Sequence, residues 1–510
     1  MLARVRSVAV FGLATIEVMV EVDVASKGFP AFNIVGLPTK AVDESRERVR
    51  TALINSDFDF PAKKITVNLA PADLPKGGAA YDLPIAVGIL IASGAFEWKE
   101  KDSSAIYYGE LSLDGSLRHT KGALLAGEFA NRRKRTIFLP ILCANEAAVF
   151  EAIKVFPVRN IGELALHLRN EKLIKPLKPI DVTDLVESAS YDFDLSEIAG
   201  QELAKRALMI AAAGGHNLLM SGPPGSGKTM LARALPSVLP ILNKEESLAV
   251  TAIYSAAGLV GPGEAIIRRR PYRSPHHSTS LPGLIGGGSH PIPGEISLAH
   301  LGVLFLDEMA EFSRNILEAL RQPLEDGVVV ISRAAERIGF PAQFMLVAAV
   351  NPCPCGYLGH PRKECRCSLR EVGRYRRKIS GPILDRIDLC VNVPAVEVEK
   401  LVESSGVAKR QTSAEVRKEI EVARLIQNDR LKQSGMFTNA QMKNKQVKQF
   451  GLMTPEAEKL LALAVAKYDL SARSYFRLIK VGRTIADLAR AEKVEANHIA
   501  EALQFRERVF

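Results

Sequence analysis

The chain has 510 residues, 47% of them hydrophobic and 24% charged, a length at which a single core gives way to roughly two to four domains. Its 67 Lys and Arg against 57 Asp and Glu leave a formal charge of +10, which permits a polyanionic partner such as nucleic acid without requiring one. No window holds the ~18 consecutive apolar residues of a membrane helix, so a soluble chain with no membrane partner is expected.

The apolar run from Val8 to Ile16 imitates a signal peptide, but Glu17, Glu21 and Asp23 follow at once. They alternate with Val18, Val20, Val22 and Val24, which is the period of a strand. Secretion is therefore not expected. Cys143 and Cys390, each single in apolar surroundings, read as buried thiols of a reducing cytoplasm. To about Asn170, short valine-rich strands alternate with helical runs at Ala79 to Gly94 and Gly122 to Arg135, giving an α/β or α+β domain over 1–170. Residues 171–195, EKLIKPLKPIDVTDLVESASYDFDL, carry two prolines, many charges and no sustained period, the marks of a linker.

Over 196–394 the segments HNLLMS, GVLFLDE, VVVIS and MLVAAVNP run almost continuously apolar, as strands of a parallel sheet buried on both faces do. Beyond Pro394 strand signals fade. Helical spacing runs through Ala414 to Leu431, Pro455 to Tyr468, Ala472 to Arg490 and Glu495 to Arg508, predicting an all-helical appendage over 395–510.

The sharpest motif is GPPGSGKT, residues Gly222, Pro223, Pro224, Gly225, Ser226, Gly227, Lys228 and Thr229, which matches G-x-x-x-x-G-K-[ST] between a strand and a helix. Its glycines let the backbone curl until N–H groups face phosphate oxygens, and the helix that follows adds its N-terminal dipole. Lys228 is placed to neutralise the β- and γ-phosphates of ATP, and Thr229 to put its hydroxyl on Mg²⁺. GVLFLDE ends in Asp307 and Glu308, an acidic pair at a buried strand tip that suits Mg²⁺ coordination and water activation respectively. MLVAAV ends in Asn351, positioned to hold the attacking water. GPILDRIDL sets Arg386 between two aspartates, and SARSYFR sets Arg473 and Arg477 at a helix start. A cation that reaches a γ-phosphate is worth roughly 10³ to 10⁵ in rate.

NPCPCGYLGHPRKECRC gathers Cys353, Cys355, Cys365 and Cys367 as C-x-C, nine residues, then C-x-C. In an intracellular chain, clustered cysteines point to metal or redox chemistry before disulfides. Four thiolates close a tetrahedral Zn²⁺ site, although C-x-C is tighter than the usual C-x₂-C knuckle. His360 is a substitute ligand. A free-thiol loop and a redox switch are the other readings.

In order and spacing these motifs resemble the AAA+ series of Walker A, Walker B, sensor 1, arginine finger and sensor 2. The phrases GQELAKRALMIAAAGGHNLLMSGPPGSGKTMLA, RRPYRSPHHSTS, PGEISLAHLGVLFLDEMAEF, ISGPILDRIDL and LSARSYFRLIKVGRTIADL resemble, essentially end to end, the magnesium-chelatase-like AAA+ family called YifB/ComM. The resemblance implies an AAA+ P-loop NTPase core with a helical lid, using ATP and Mg²⁺ in a cytoplasmic homo-hexamer. Arg386 would reach the neighbour's nucleotide and Arg473 would act from the lid. It implies a DNA helicase motor that drives branch migration of recombination intermediates in natural transformation. By similarity to ring helicases, the basic segment Ile266 to Glu295, with Arg268, Arg269 and Arg270, and the hairpin Glu325 to Phe344, with Arg333, would line the pore. There cations track the phosphates of branched or single-stranded DNA.

PKGGAAYDLPIAVGILIAS and GELSLDGSLRHTKGALLAG resemble the Lon-type protease domain, an α+β unit of ribosomal S5 domain 2-like fold. That domain uses a serine and lysine dyad, and here Ala80 stands at the serine's position and Leu124 at the lysine's. Lys76 and Lys121 lie near, but a lysine without an activated hydroxyl cleaves no peptide by this route. The resemblance therefore implies a catalytically silent domain. Two other functions stay open. One is a chelatase-type motor for metal insertion into a tetrapyrrole, set apart by motor subunits that lack the amino-terminal domain; the other is a nucleotide-switched protein scaffold.

Overall fold

The structure is a computed structural model that describes residues 2–27, 29–36, 40–72, 77–95, 103–188, 190–288, 291–332, 337–360, 362–379, 381–395 and 411–506. Its first strands are β1 (Leu2–Phe11), β2 (Ala14–Val24), β3 (Ala31–Val35), β4 (Lys64–Ala70), β5 (Ile106–Tyr107), β6 (Glu110–Leu111), β7 (Leu117–Arg118), β8 (Ile137–Pro140) and β9 (Val155–Val158). A mixed seven-stranded sheet runs in the order β3-β4-β2-β1-β5-β8-β9, while β6 and β7 pair with each other. In β2 the expected alternation holds: Val18, Val20, Val22 and Val24 are buried, and Glu17, Glu21 and Asp23 lie on the other face. The helix Asp82–Ala92, buried at every position, lies across β1 and β2. Gly88 permits the close approach, because a Cβ there would stand 2.5 Å from Val22 Cγ2.

The later strands are β10 (Leu218–Ser221), β11 (Tyr272–Arg273), β12 (Gly286–Gly287), β13 (Ile292–Pro293), β14 (Val303–Leu306), β15 (Val328–Ser332), β16 (Arg337–Pro341), β17 (Met345–Val350) and β18 (Leu389–Asn392). Five of them form an all-parallel sheet in the order β11-β14-β17-β10-β18. VVVIS departs from expectation: as β15 it leaves the parallel sheet and pairs antiparallel with β16. Its apolar character comes from Val329 and Ile331, which pack with Phe340 against the sheet's flank.

Side chains of the parallel strands alternate between two cores. Leu218, Met220, Phe305, Val347 and Val391 face the helices Glu202–Gly214 and Lys228–Val238, while Leu219, Leu304, Leu346 and Ala348 face Met309, Phe312 and Leu317. The carboxyl-terminal helices Ser413–Leu431, Pro455–Tyr468, Ala472–Leu488 and Ala496–Gln504 match the expected spans to within a few residues. They are no free-standing appendage. Val416, Ile420, Leu478, Ile485 and Ile499 share the first core with the sheet, since an amphipathic stripe must be buried against something. The segment 171–195 also differs from an irregular linker. Asp181 caps the helix Val182–Glu187, whose Val182 and Val186, four residues apart, pack with Leu124, Val149, Leu242 and Ile266.

Candidate nucleotide-binding site

In the parallel sheet Ser221 lies level with Val350 and Asn392, and Leu306 level with Ala348. The segments that leave the carboxyl ends of β10, β14 and β17 therefore emerge side by side, where ligands settle on open parallel sheets. Gly225 and Gly227 adopt φ of +76° and +91°, a region that side chains resist, and a Cβ at Gly222 would collide with Val393 O at 2.0 Å. Lys228 opens the helix Lys228–Val238 and is buried. Its ammonium donates to Gly222 O at 2.7 Å, Pro223 O at 2.9 Å and Asn351 Oδ1 at 3.4 Å. Burial pulls the Lys228 pKa down, opposed by the charges of Asp307 and Glu308. The Thr229 hydroxyl donates to Asp307 Oδ2 at 2.9 Å. Glu308 is exposed, in a left-handed conformation at φ +48°, with its amide on Asp307 Oδ1 at 3.0 Å.

This donor set fits a nucleoside triphosphate with Mg²⁺. Two positive-φ glycines shape a loop whose amides precede a helix, one buried ammonium has only neutral partners, and a hydroxyl and a carboxylate already meet at the metal's expected place. Sequence reasoning missed Gln201, whose side-chain amide donates to Ser226 O at 3.2 Å and Pro394 O at 2.7 Å and so ties the loop to the end of β18. No motif marked it, although it stands in the quoted phrase GQELAKRAL.

Arg386 lies three residues before β18, at the amino-terminal edge of the sheet and thus opposite its own P-loop. It donates to Glu325 Oε1 and, at 2.6 Å, to Pro382 O. Arg473 also reaches Glu325 Oε1, at 3.4 Å, and stands 3.9 Å from Asp385. Arg477 is buried, donates to Ile387 O at 2.8 Å and pairs with Asp388 at 3.3 Å. Arg473, expected to act from the lid, thus stands beside Arg386 on the shared carboxylate of Glu325. The helix Ala472–Leu488 packs on the helices Glu202–Gly214 and Ser413–Leu431, its Arg477 reaches the segment just before β18, and Arg473 meets Arg386 through Glu325. Both border a cavity of about 1650 Å³, into which Glu325, Asp385 and Lys480 also face. Glu325, the acceptor common to the two arginines, carried no sequence signal.

The four clustered cysteines do come together, each Sγ within 4.8 Å of the others. His360 is not among them, because its Nδ1 accepts the amides of Arg362 and Lys363, both at 3.0 Å. Among the proposed DNA contacts, Arg268 is exposed and Arg269 pairs with Asp192 at 3.0 Å. Arg270, by contrast, is engaged within the fold: it donates to Leu301 O and Glu246, each at 2.9 Å, as well as to Pro240 O, which leaves it little freedom to meet a phosphate. Arg333 lies outside the described residues, as does Lys76. Ala80 and Leu124 are buried in apolar clusters, and Lys121 is exposed.

Three family models match the chain: one described as magnesium chelatase, subunit ChlI, over residues 194–401; one as subunit ChlI of Mg-chelatase over 20–142; and one as magnesium chelatase, subunit ChlI C-terminal, over 410–506. With the parallel sheet and P-loop geometry, they define a magnesium-chelatase-like protein with an AAA+-like domain. Competence protein ComM of Haemophilus influenzae is 42% identical over 514 residues, which cover 99% of this chain and 97% of that protein. YifB of Escherichia coli is 41% identical over 505 residues, covering 99% and 97%. The chain belongs to the YifB/ComM family. The magnesium-chelatase 67 kDa subunit of Chlorobaculum parvum is 27% identical over 169 residues, 31% of this chain and 23% of that protein. The match over 20–142 to a model described as a chelatase subunit removes the amino-terminal region as a ground for setting this chain apart from chelatases.

Proposed function

We propose that this protein is an ATP-hydrolysing AAA+ ring motor of the cytoplasm that remodels or translocates DNA, driving branch migration of recombination intermediates in natural transformation. The observation that carries the reading is the convergence of Lys228, Thr229, Asp307, Glu308 and Asn351 at one sheet edge, in a chain 42% identical along 99% of its length to a competence protein. Lys228 exchanges its backbone carbonyls for phosphate oxygens. Thr229 and Asp307, already joined by a hydrogen bond, would hold Mg²⁺, which would supply positive charge against the phosphates. Glu308, open to solvent, orients the attacking water with Asn351. Arg386 and Arg473, on the opposite edge, serve a neighbour's nucleotide, so turnover needs an adjacent subunit, as the homo-hexamer expected of the family supplies.

In this reading residues 1–170 are a silent Lon-like domain, 171–195 join it to the core at 196–394, and 395–510 are the helical lid. Arg268, Arg269 and Arg333 contact DNA. Exposed Arg362, Lys363, Arg366, Arg370, Arg374 and Arg377, beside the cysteine loop, add cationic surface for phosphates.

A second reading, a chelatase-type motor for metal insertion into a tetrapyrrole, is favoured by the chelatase descriptions of all three family models. ATPase turnover with and without a synthetic four-way DNA junction, beside Lys228→Ala, separates the two. The DNA motor is expected to be stimulated by the junction and silenced by Lys228→Ala, and Arg333→Glu to lose stimulation while basal turnover persists. Turnover indifferent to DNA would sink the DNA reading and leave the chelatase one.

A further inference from the structure

We propose that Cys353, Cys355, Cys365 and Cys367 hold one Zn²⁺ through four thiolates, and that this knot braces the wall of the P-loop. Four sulfurs about 2.3 Å from a tetrahedral Zn²⁺ stand about 3.8 Å from one another. Here the Cys353–Cys355 sulfurs are 3.4 Å apart, Cys353–Cys365 3.6 Å and Cys355–Cys365 3.6 Å, and all four lie within 4.8 Å. These separations are far above the ~2.05 Å of a disulfide. An iron–sulfur cluster distributes its cysteines over several irons, whereas a set this tight suits a single ion.

The loop has little else to hold it. Residues 351–360 and 362–367 form no helix or strand, and only Cys353 and Gly356 among them are buried. A segment without a core of its own gains its fold from a metal. Zn²⁺ suits the set because it prefers tetrahedral thiolates and demands no redox partner.

The bracing role rests on the nucleotide-site reading above. Gly356, at φ +82°, packs so close that a Cβ would stand 2.5 Å from Pro224 Cδ of the P-loop. Two residues before Cys353, Asn351 accepts from Lys228. The knot thus fixes one end of the strand-tip residue that meets Lys228 and one flank of the phosphate loop.

Metal analysis of the full chain, purified without chelator, is expected to give one zinc per chain. Titration of that folded protein with a mercurial should release it as the four thiols react, read with a zinc dye. Cys365→Ser and Cys367→Ser should lose the zinc while Cys390→Ser keeps it, and Lys228→Ala should also keep it, so that failure of the nucleotide reading and failure of the metal site register separately. Binding of a fluorescent ATP analogue is expected to weaken several-fold once zinc is withdrawn. Absent zinc, iron in its place, or full zinc in both serine variants would overturn the metal site. Unchanged analogue affinity in zinc-free folded protein would overturn the bracing.

Discussion

Arg386 and Glu325 form an ion pair at the amino-terminal edge of the parallel sheet, while Lys228 of the same chain lies beyond its carboxyl-terminal edge. An arginine so placed cannot serve its own P-loop without crossing the sheet. The same holds for Arg473, tied to the same carboxylate. Alone, Arg386→Ala and Lys228→Ala are each expected to lower ATP turnover by about 10³ or more. Mixed, the two inactive proteins should regain turnover, because a subunit with an intact P-loop then meets a neighbour with an intact arginine. A mixture as inactive as its parts would show that Arg386 works within its own chain or not at all.

Glu308 differs from Asp307 in what it touches. Asp307 is occupied by the Thr229 hydroxyl, whereas Glu308 stands exposed on a left-handed turn, free to meet a water. Glu308→Gln keeps shape and loses basicity, so its kcat should fall by about 10² to 10⁴ with nucleotide affinity little altered. Kd from equilibrium binding beside kcat from steady-state turnover checks it, and equal losses in both would mean that Glu308 binds and does not activate.

Gly356→Ala would bring a methyl group against Pro224 and impose a side chain on a positive φ. The strain alone is worth about 1 to 3 kcal/mol. Because the collision partner is the P-loop, ATP affinity should fall along with Tm. Gly359→Ala also meets a positive φ, but a Cβ there has nothing within 4 Å, so it should lower Tm and spare affinity. Equal affinities in the two variants would sever the loop from the site.

How much of this the sequence disclosed follows from how local each cause is. The strand at Val18 to Val24 and the P-loop between strand and helix were legible because alternation and turn chemistry act over a few residues. β18 was not, since LCVN is four residues long and its strand character comes from lying beside β10. Arg270 looked like a free cation among cations, and only the fold brings the carbonyls of Pro240 and Leu301 to it. The edge on which Arg473 stands is likewise set by packing of the carboxyl-terminal helices, 148 residues in sequence from Glu325. The cysteine spacing was readable as a cluster, while its contact with Pro224 was not.

Glu146 gives the junction between the amino-terminal sheet and the P-loop core a pH dependence. Its carboxylate is buried, accepts from the Ser255 hydroxyl and the Leu124 amide, and lies 3.8 Å from His119 Nε2. Burial pushes its pKa up to about 7, with the bonds from Ser255 and Leu124 opposing. A carboxyl whose pKa is raised on folding stays protonated in the native state while the unfolded chain ionises, so its stabilising share is complete below the ordinary value of 4.5 and declines as pH climbs to about 7. The cost at and above that pH is at most about 3 kcal/mol. Glu146→Gln cannot ionise and escapes it. The Tm of the variant minus that of the wild type should therefore rise between about pH 4.5 and 7 and level off above, whereas a difference that is flat across this window would mean that Glu146 carries its charge in the folded protein.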